Sequence, residues 1–240
     1  MIRESLSSLK MQGALEALSS LESLTTLTKE EFLEGLLRSE IEYRERRRAQ
    51  RRLSQAKFPT EKEWSDIDMG INTEIQFEEI QKLSKGEFIP LKKNIAFLGQ
   101  QGTGKTHSLV ALGRELCRNK ITVKFYTACA LVNELEEAKS NHKLSSLMKN
   151  LLKPELLIID ELGFVPFSEN GARLLFDVFT NRYERGSIAI SSNLSFEKWV
   201  QIFGTVELTA ALIDRFTHNC VTFTYMGQSV RLLQAKKRSW

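Results

Sequence analysis

Gly99-Gln100-Gln101-Gly102-Thr103-Gly104-Lys105-Thr106 fills every fixed position of Gly-x-x-x-x-Gly-Lys-Ser/Thr, the pattern of a loop that wraps phosphate. Glycines at 99, 102 and 104 let successive backbone N–H groups converge on phosphate oxygens without Cβ clashes. A helix opening at the end of the loop adds its positive N-terminal dipole. Lys105 is placed to reach the β- and γ-phosphates of a nucleotide, and the Thr106 hydroxyl to ligate Mg²⁺. His107 follows directly; it reads either as part of the nucleotide-contacting set or as a residue facing the surroundings of that helix.

A phosphate loop needs an acid beside it. Leu156-Leu157-Ile158-Ile159-Asp160-Glu161 has four apolar residues suited to a strand buried on both faces, ending in two carboxylates. At the C-terminal edge of such a strand Asp160 would hold Mg²⁺ through water, and Glu161 would polarise an attacking water. The other reading makes Asp160-Glu161 the start of a polar loop. Ser191-Ser192-Asn193 ends another apolar run, where Asn193 would bond the attacking water or the γ-phosphate. The same three residues also suit a helix cap, and the two roles are compatible.

These groups require elements to position them. Asn94–Leu98, Thr122–Tyr126, Leu156–Ile159, Ser187–Ser191 and Cys220–Phe223 read as short strands, most of them followed by helical pattern. That alternation predicts an α/β fold with parallel pairing and both sheet faces covered. Upstream the pattern is helical. Leu6, Leu9, Leu15, Leu18 and Leu21 mark one helix interrupted by Gly13. A second opens on a capping box, Thr28-Lys29-Glu30-Glu31, and carries Phe32, Leu33, Leu36, Leu37 and Ile41 as an apolar stripe. Pro59 closes this region. We read residues 1–62 as a helical N-terminal domain with a basic helix, and 63–240 as the α/β domain.

The basic helix is the main charge asymmetry. The 240 residues carry 34 Lys and Arg against 30 Asp and Glu, a net charge of +4. Six of the nine residues from Arg44 to Arg52 are arginine. Arg44, Arg48, Arg51 and Arg52 share one helical face, with Arg47 close by, and such a face attracts a phosphate backbone without reading sequence. A solvated helix balanced by Glu40, Glu42 and Glu45 is the alternative. Lys139, Lys143 and Lys149 offer further phosphate contacts. Three separated cysteines suggest packed thiols in a reducing cytoplasm. His107, His142 and His218 lack metal-ligand spacing, so no zinc is expected. Trp64, Asp66 and Asp68 lie where the chain approaches the core, either packing or bordering an adenine. No apolar stretch is long enough to span a membrane and no secretory signal is read, so no membrane partner is expected.

Taken in order, Gly99–His107, Asp160–Phe167 (DELGFVPF), Asn181–Ser187 (NRYERGS), Ser191–Leu194 and Thr209–His218 resemble the blocks of the IstB-like ATP-binding proteins. These are transposition helper ATPases of insertion sequences, related to the helicase loader DnaC. The likeness runs from Met11-Gln12-Gly13 to Gly227–Arg231. It implies a P-loop NTPase of the AAA+ type with strand order 5-1-4-3-2, ATP and Mg²⁺ as cofactors, and ATP-dependent homo-oligomerisation. It further implies binding of double-stranded DNA and help to a transposase, with helicase loading as the alternative. By motif, Lys105 and Thr106 bind phosphate and Mg²⁺, and Asp160 and Glu161 form the second acidic motif. Asn193 is the sensor on strand four, Arg215 the arginine given to a neighbour's ATP (the other reading pairs it with Asp214 or a core acid), and Arg231 a second sensing arginine. Arg182 and Arg185 compete for the post of Arg215 or for an interface ion pair. Val230 departs from the family's Gly-Glu-Ser-Tyr-Arg pattern, and Met226–Trp240 is too short for a separate C-terminal helical lid.

Overall fold

The computed structural model describes residues 1–24, 26–67, 77–227, 229 and 230. Contacts divide the chain into two compact units, Met1–Arg51 and Arg52–Trp240. The first contains α1 (Ile2–Ser8), α2 (Gln12–Glu22) and most of α3 (Lys29–Ala56). The helix end read at Phe58-Pro59 is thus not where packing changes, because Leu53 and Ala56 already join the core of the second unit.

In the first unit the expected capping box forms: Glu31 N donates to Thr28 Oγ1 at 3.2 Å and Thr28 N to Glu31 Oε2 at 2.8 Å. Gly13 does not interrupt a helix. The break falls at Lys10, whose φ is 56°, and Gly13 lies in the first turn of α2. There a Cβ would sit 2.3 Å from Cβ of Tyr43, so glycine permits a close crossing of α2 and α3. Buried Glu40 takes the amides of Gly13 and Ala14 at 2.7 and 3.1 Å, acting as an N-terminal anchor for α2 from another helix. The apolar stripe divides. Leu36 and Phe32 pack with Ala14 and Leu18, while Leu33, Leu37 and Ile41 are 56, 45 and 63% exposed.

The second unit is a five-stranded sheet of β1 (Asn94–Gly99), β2 (Val123–Thr127), β3 (Leu156–Leu162), β4 (Ser187–Ser192) and β5 (Cys220–Tyr225). Its order is β2-β3-β4-β1-β5 and all four pairings are parallel. This is the order 5-1-4-3-2 that the resemblance implies. α4 (Phe77–Lys82) precedes β1, and the crossovers contain α5 (Lys105–Arg118), α6 (Ala128–Ser140), α7 (Leu144–Leu151), α8 (Glu169–Arg182), α9 (Val200–Phe203) and α10 (Val206–Thr217). One core cluster joins α5 to one sheet face through Phe97, Leu109, Leu112 and Ile158, with Phe58 packed against it. The other joins α6, α8 and α10 to the opposite face through Leu131, Leu175, Ile190 and Phe216.

Arg182, one of the candidates for an intersubunit arginine, is an internal fastener. It is 1% exposed and donates to the carbonyls of Leu151, Pro154, Glu155 and Ser187, joining the segment before β3 to the start of β4. Burial pulls its guanidinium down to about 10. A Cβ at Gly186 would stand 2.5 Å from Arg182 Nη2, which explains the glycine in NRYERGS. Arg182→Ala is expected to cost on the order of 3–5 kcal/mol, since several buried carbonyls lose their donor and a cavity opens. Urea unfolding measures this. An unchanged midpoint would mean the cage contributes nothing.

Candidate functional site

The site lies at the C-terminal edge of β1, β4 and β3, where parallel sheets leave strand ends open to ligands. β1 runs into the loop, and α5 begins at Lys105 with Ser108 N donating to Gly104 O at 2.9 Å. Gly102 has φ 78°, and a Cβ there would lie 2.1 Å from Ser229 Oγ. At Gly99 a Cβ would lie 2.1 Å from the Tyr225 carbonyl oxygen. Both glycines are therefore required by chain packed against the loop from β5 and beyond, as well as by the phosphate-binding pattern. Val230 N donates to Gly102 O at 2.9 Å, continuing that wall. Lys105 Nζ reaches the carbonyls of Gly99 and Gln100, each at 2.6 Å, and Thr103 Oγ1 donates to Gln100 O at 2.9 Å.

The acidic strand meets this loop. Thr106 Oγ1 donates to Asp160 Oδ1 at 3.1 Å. Asp160 is buried, and Ser191 Oγ also donates to its Oδ1. Burial pushes the Asp160 carboxyl up, opposed by the hydrogen bonds of Ser191, Thr106 and the Glu161 amide and by the charge of Lys105. The polar-loop reading fails here: β3 continues through both acids to Leu162.

That continuation is irregular. Ile159 pairs with Ile190, but the next pair is Leu162 with Ser192, so β3 bulges by one residue at Asp160-Glu161. Glu161 takes φ 61°, a left-handed conformation that costs a non-glycine residue about 1–3 kcal/mol. The bulge turns its side chain to solvent beside buried Asp160. Two serines fasten it. Ser191 Oγ accepts the Glu161 amide at 2.9 Å while donating to Asp160, and Ser192 Oγ donates to Leu162 O at 2.6 Å. The sequence pattern points to Asn193 and gives Ser191 no role. The available signal was a pair of hydroxyls at the end of a run where buried apolar residues were expected.

Asn193 is exposed at the same edge, its Oδ1 3.3 Å from where a Cβ on Gly163 would stand. His107 Nε2 lies 3.0 Å from the Glu63 carbonyl oxygen, so its ring serves the segment before the core, the second of its two readings. Glu63 also grips Arg114 and Arg118 at 2.7 and 2.6 Å, which hold its carboxyl below the usual range. Asp68 and Arg231 lie outside the described residues.

Arg215 is placed elsewhere. It lies near the end of α10, whose Phe216 carbonyl accepts from Asn94 Nδ2 at 2.9 Å, at the start of β1. The loop is at the other end of that strand, about 16 Å away along it. Its Nη1 donates to Ala211 O at 2.8 Å and its guanidinium lies 5.5 Å from the Phe176 ring centre.

Of the basic helix, Arg44 pairs with Glu40 at 2.6 Å and Arg48 with Glu45 at 2.8 Å. Arg47 and Arg51 are exposed. Arg52 corrects the expected face: it is half-buried, its Nε donating to the Cys117 carbonyl at 2.7 Å. Among the described residues no group of three or more His, Cys, Asp or Glu is arranged to hold a metal ion. The hydroxyl–carboxylate pair Thr106–Asp160 nevertheless fits Mg²⁺, a hard cation usually held by one or two protein oxygens with phosphates and water completing its shell. The three cysteines are free thiols. Among the described residues no helix is long and apolar enough to cross a membrane.

A parallel sheet in the order 2-3-4-1-5, a phosphate loop after β1 and a fastened Asp-Glu at the end of β3 define a P-loop nucleotide-binding protein of the AAA+ class. The chain belongs to the IstB-like ATP binding protein family, which it matches over residues 4–239. It is 34% identical to an insertion sequence IS5376 ATP-binding protein of Geobacillus stearothermophilus, over 92% of this chain and 88% of that protein. In fold it is similar to AMPPCP-bound DnaA from Aquifex aeolicus, with TM-score 0.60 and 17% identity over 77% of this chain and 57% of that one. It is also similar to the DnaC helicase loader, with TM-score 0.51 and 20% identity over 62% and 87%.

Proposed function

We propose that this chain is an ATPase that assembles on double-stranded DNA with ATP and helps a transposase engage target DNA, acting in the cytoplasm. The observation that carries the enzymatic part is the Thr106–Asp160 contact, which brings the phosphate loop against the acidic bulge. Lys105 exchanges its loop carbonyls for β- and γ-phosphate oxygens. Bound Mg²⁺, held by Thr106 and through water by Asp160, would neutralise charge on those oxygens. Glu161, exposed by the bulge, accepts the proton of the attacking water, and Asn193 orients that water or the γ-phosphate. Arg215 serves the nucleotide of a second copy, where a planar guanidinium stabilises charge spreading over the transferred phosphoryl group. Supplying it in trans makes turnover depend on assembly. Arg231 is assigned to sensing the nucleotide by resemblance alone.

The insertion-sequence name of the Geobacillus relative favours transposition over helicase loading as the client process. For DNA the exposed cations Arg47 and Arg51, with the partly engaged Arg44 and Arg48, form the proposed footprint; Arg52 is spent on packing. ATP hydrolysis measured with and without duplex DNA tests the proposal, and DNA is expected to raise the rate. A rate indifferent to DNA, or no hydrolysis, would overturn it. Changing Arg47, Arg48 and Arg51 together to Gln is expected to weaken DNA binding and reduce the slope of log affinity against log salt by about three. An unchanged slope places the footprint elsewhere.

A further inference from the structure

The edge of the sheet that holds Arg215 also holds a pocket of about 200 Å³. Phe179, Ile188 and Phe216 line its floor, and Leu91, Lys92, Arg215 and His218 its rim. A cavity of about 150 Å³ lined by apolar side chains takes a benzene-sized ring, so this pocket has room for one phenyl group. At the opposite edge, the turn after Glu161 presents such a group. Phe164 is 55% and Val165 48% exposed. Gly163 takes φ 95°, and Phe164 N donates to Glu161 O at 3.3 Å, tying the turn to the bulge.

We infer that Phe164 of one copy enters the Arg215 pocket of the next, and that this contact registers the trans arginine on its neighbour's nucleotide. The inference rests on the trans role of Arg215 proposed above. If Arg215 reaches a phosphate gripped beside Glu161, its pocket must approach the surface around Glu161, where Phe164 and Val165 are the large apolar side chains exposed on the adjoining turn. Charge agrees as well. The knob is three residues from the exposed Glu161 carboxylate, and the pocket lining carries Lys92, Arg182 and Arg215 against one carboxylate, Glu184. Because knob and pocket occupy opposite edges of one chain, the contact is head-to-tail and repeats from copy to copy.

The test uses full-length chains in which Cys129 and Cys220 are changed to Ser. One carries Val165→Cys beside an intact Phe164, the other Leu91→Cys, and a short bis-maleimide is added with ATP and duplex DNA. Covalent dimers are expected from the mixture and not from either chain alone, and a ladder from the chain carrying both changes. Phe164→Ser is expected to reduce ATP-dependent assembly about tenfold or more with nucleotide affinity unchanged, and Phe164→Tyr to retain it. No cross-link, with Phe164→Ser assembling like the parent, overturns the knob and pocket. The trans reading is scored separately by mixing Arg215→Ala with Lys105→Ala chains, so its failure and the failure of this contact are distinguishable. If Phe164→Ser loses DNA affinity while assembly with ATP alone persists, the turn contacts DNA and the inference fails.

Discussion

Glu161→Gln is expected to lower ATP turnover by about 10²–10⁴-fold, the range for losing a general base, while nucleotide and DNA binding persist and assemblies outlive their normal lifetime. The amide keeps the side chain's shape, and the two fasteners of the bulge, Ser191 on the Glu161 amide and Ser192 on the Leu162 carbonyl, act on main chain that the change leaves intact. Stability should therefore be that of the parent. Glu161→Gly makes a useful contrast. It also removes the carboxylate but relieves a left-handed φ of 61°, so it should be inactive and no less stable, with a gain on the order of 1 kcal/mol. Single-turnover hydrolysis together with thermal melts reads both. Parent-like turnover in Glu161→Gln would assign the base to another residue.

Arg215→Ala is expected to reduce turnover by about 10³–10⁵-fold, as for other arginines supplied to a phosphoryl-transfer site. The chain's own fold should survive, because among the described residues the side chain contributes a bond to the Ala211 carbonyl, its position over Phe176 and a place at the pocket rim. Mixing decides where the arginine acts. A Lys105→Ala chain cannot hold nucleotide but still offers Arg215, and an Arg215→Ala chain does the reverse. Activity recovered on mixing places the arginine in trans; no recovery at any ratio removes that role. The position of Arg215, one strand length from its own phosphate loop, is what makes recovery the expected result.

The parts of this molecule legible in its sequence are those governed by local rules. The inner strands β1, β3 and β4 are readable because buried parallel strands are short runs of mostly apolar residues, the edge strand β5 because Phe223 and Tyr225 alternate with threonines, and the phosphate loop because its geometry demands glycine and lysine at fixed spacing. Strand order came from resemblance alone, since apolar runs say nothing about their neighbours. What escaped depends on contacts distant in sequence. Arg182 looked like a surface cation in a charged run, and only the convergence of four carbonyls from 151–187 makes it a core residue. Ser191 fastens a bulge that no periodicity reveals. The stripe on α3 was visible but too wide for one partner: at about 100° per residue, Leu33, Leu37 and Ile41 turn progressively away from the side of Phe32 and Leu36 that meets α2.

The wall against the phosphate loop has a bearing on how the protein is made. β1 and the loop leave the ribosome early, but β5, which pairs with β1 along its full length, and Ser229 and Val230, which close on Gly102, come late. At roughly 5–20 residues added per second, the nascent loop waits several seconds or more beside an unpaired strand edge. The loop thus gains its wall late in biosynthesis, and until β5 docks, the half-built sheet exposes the kind of edge that chaperones shield.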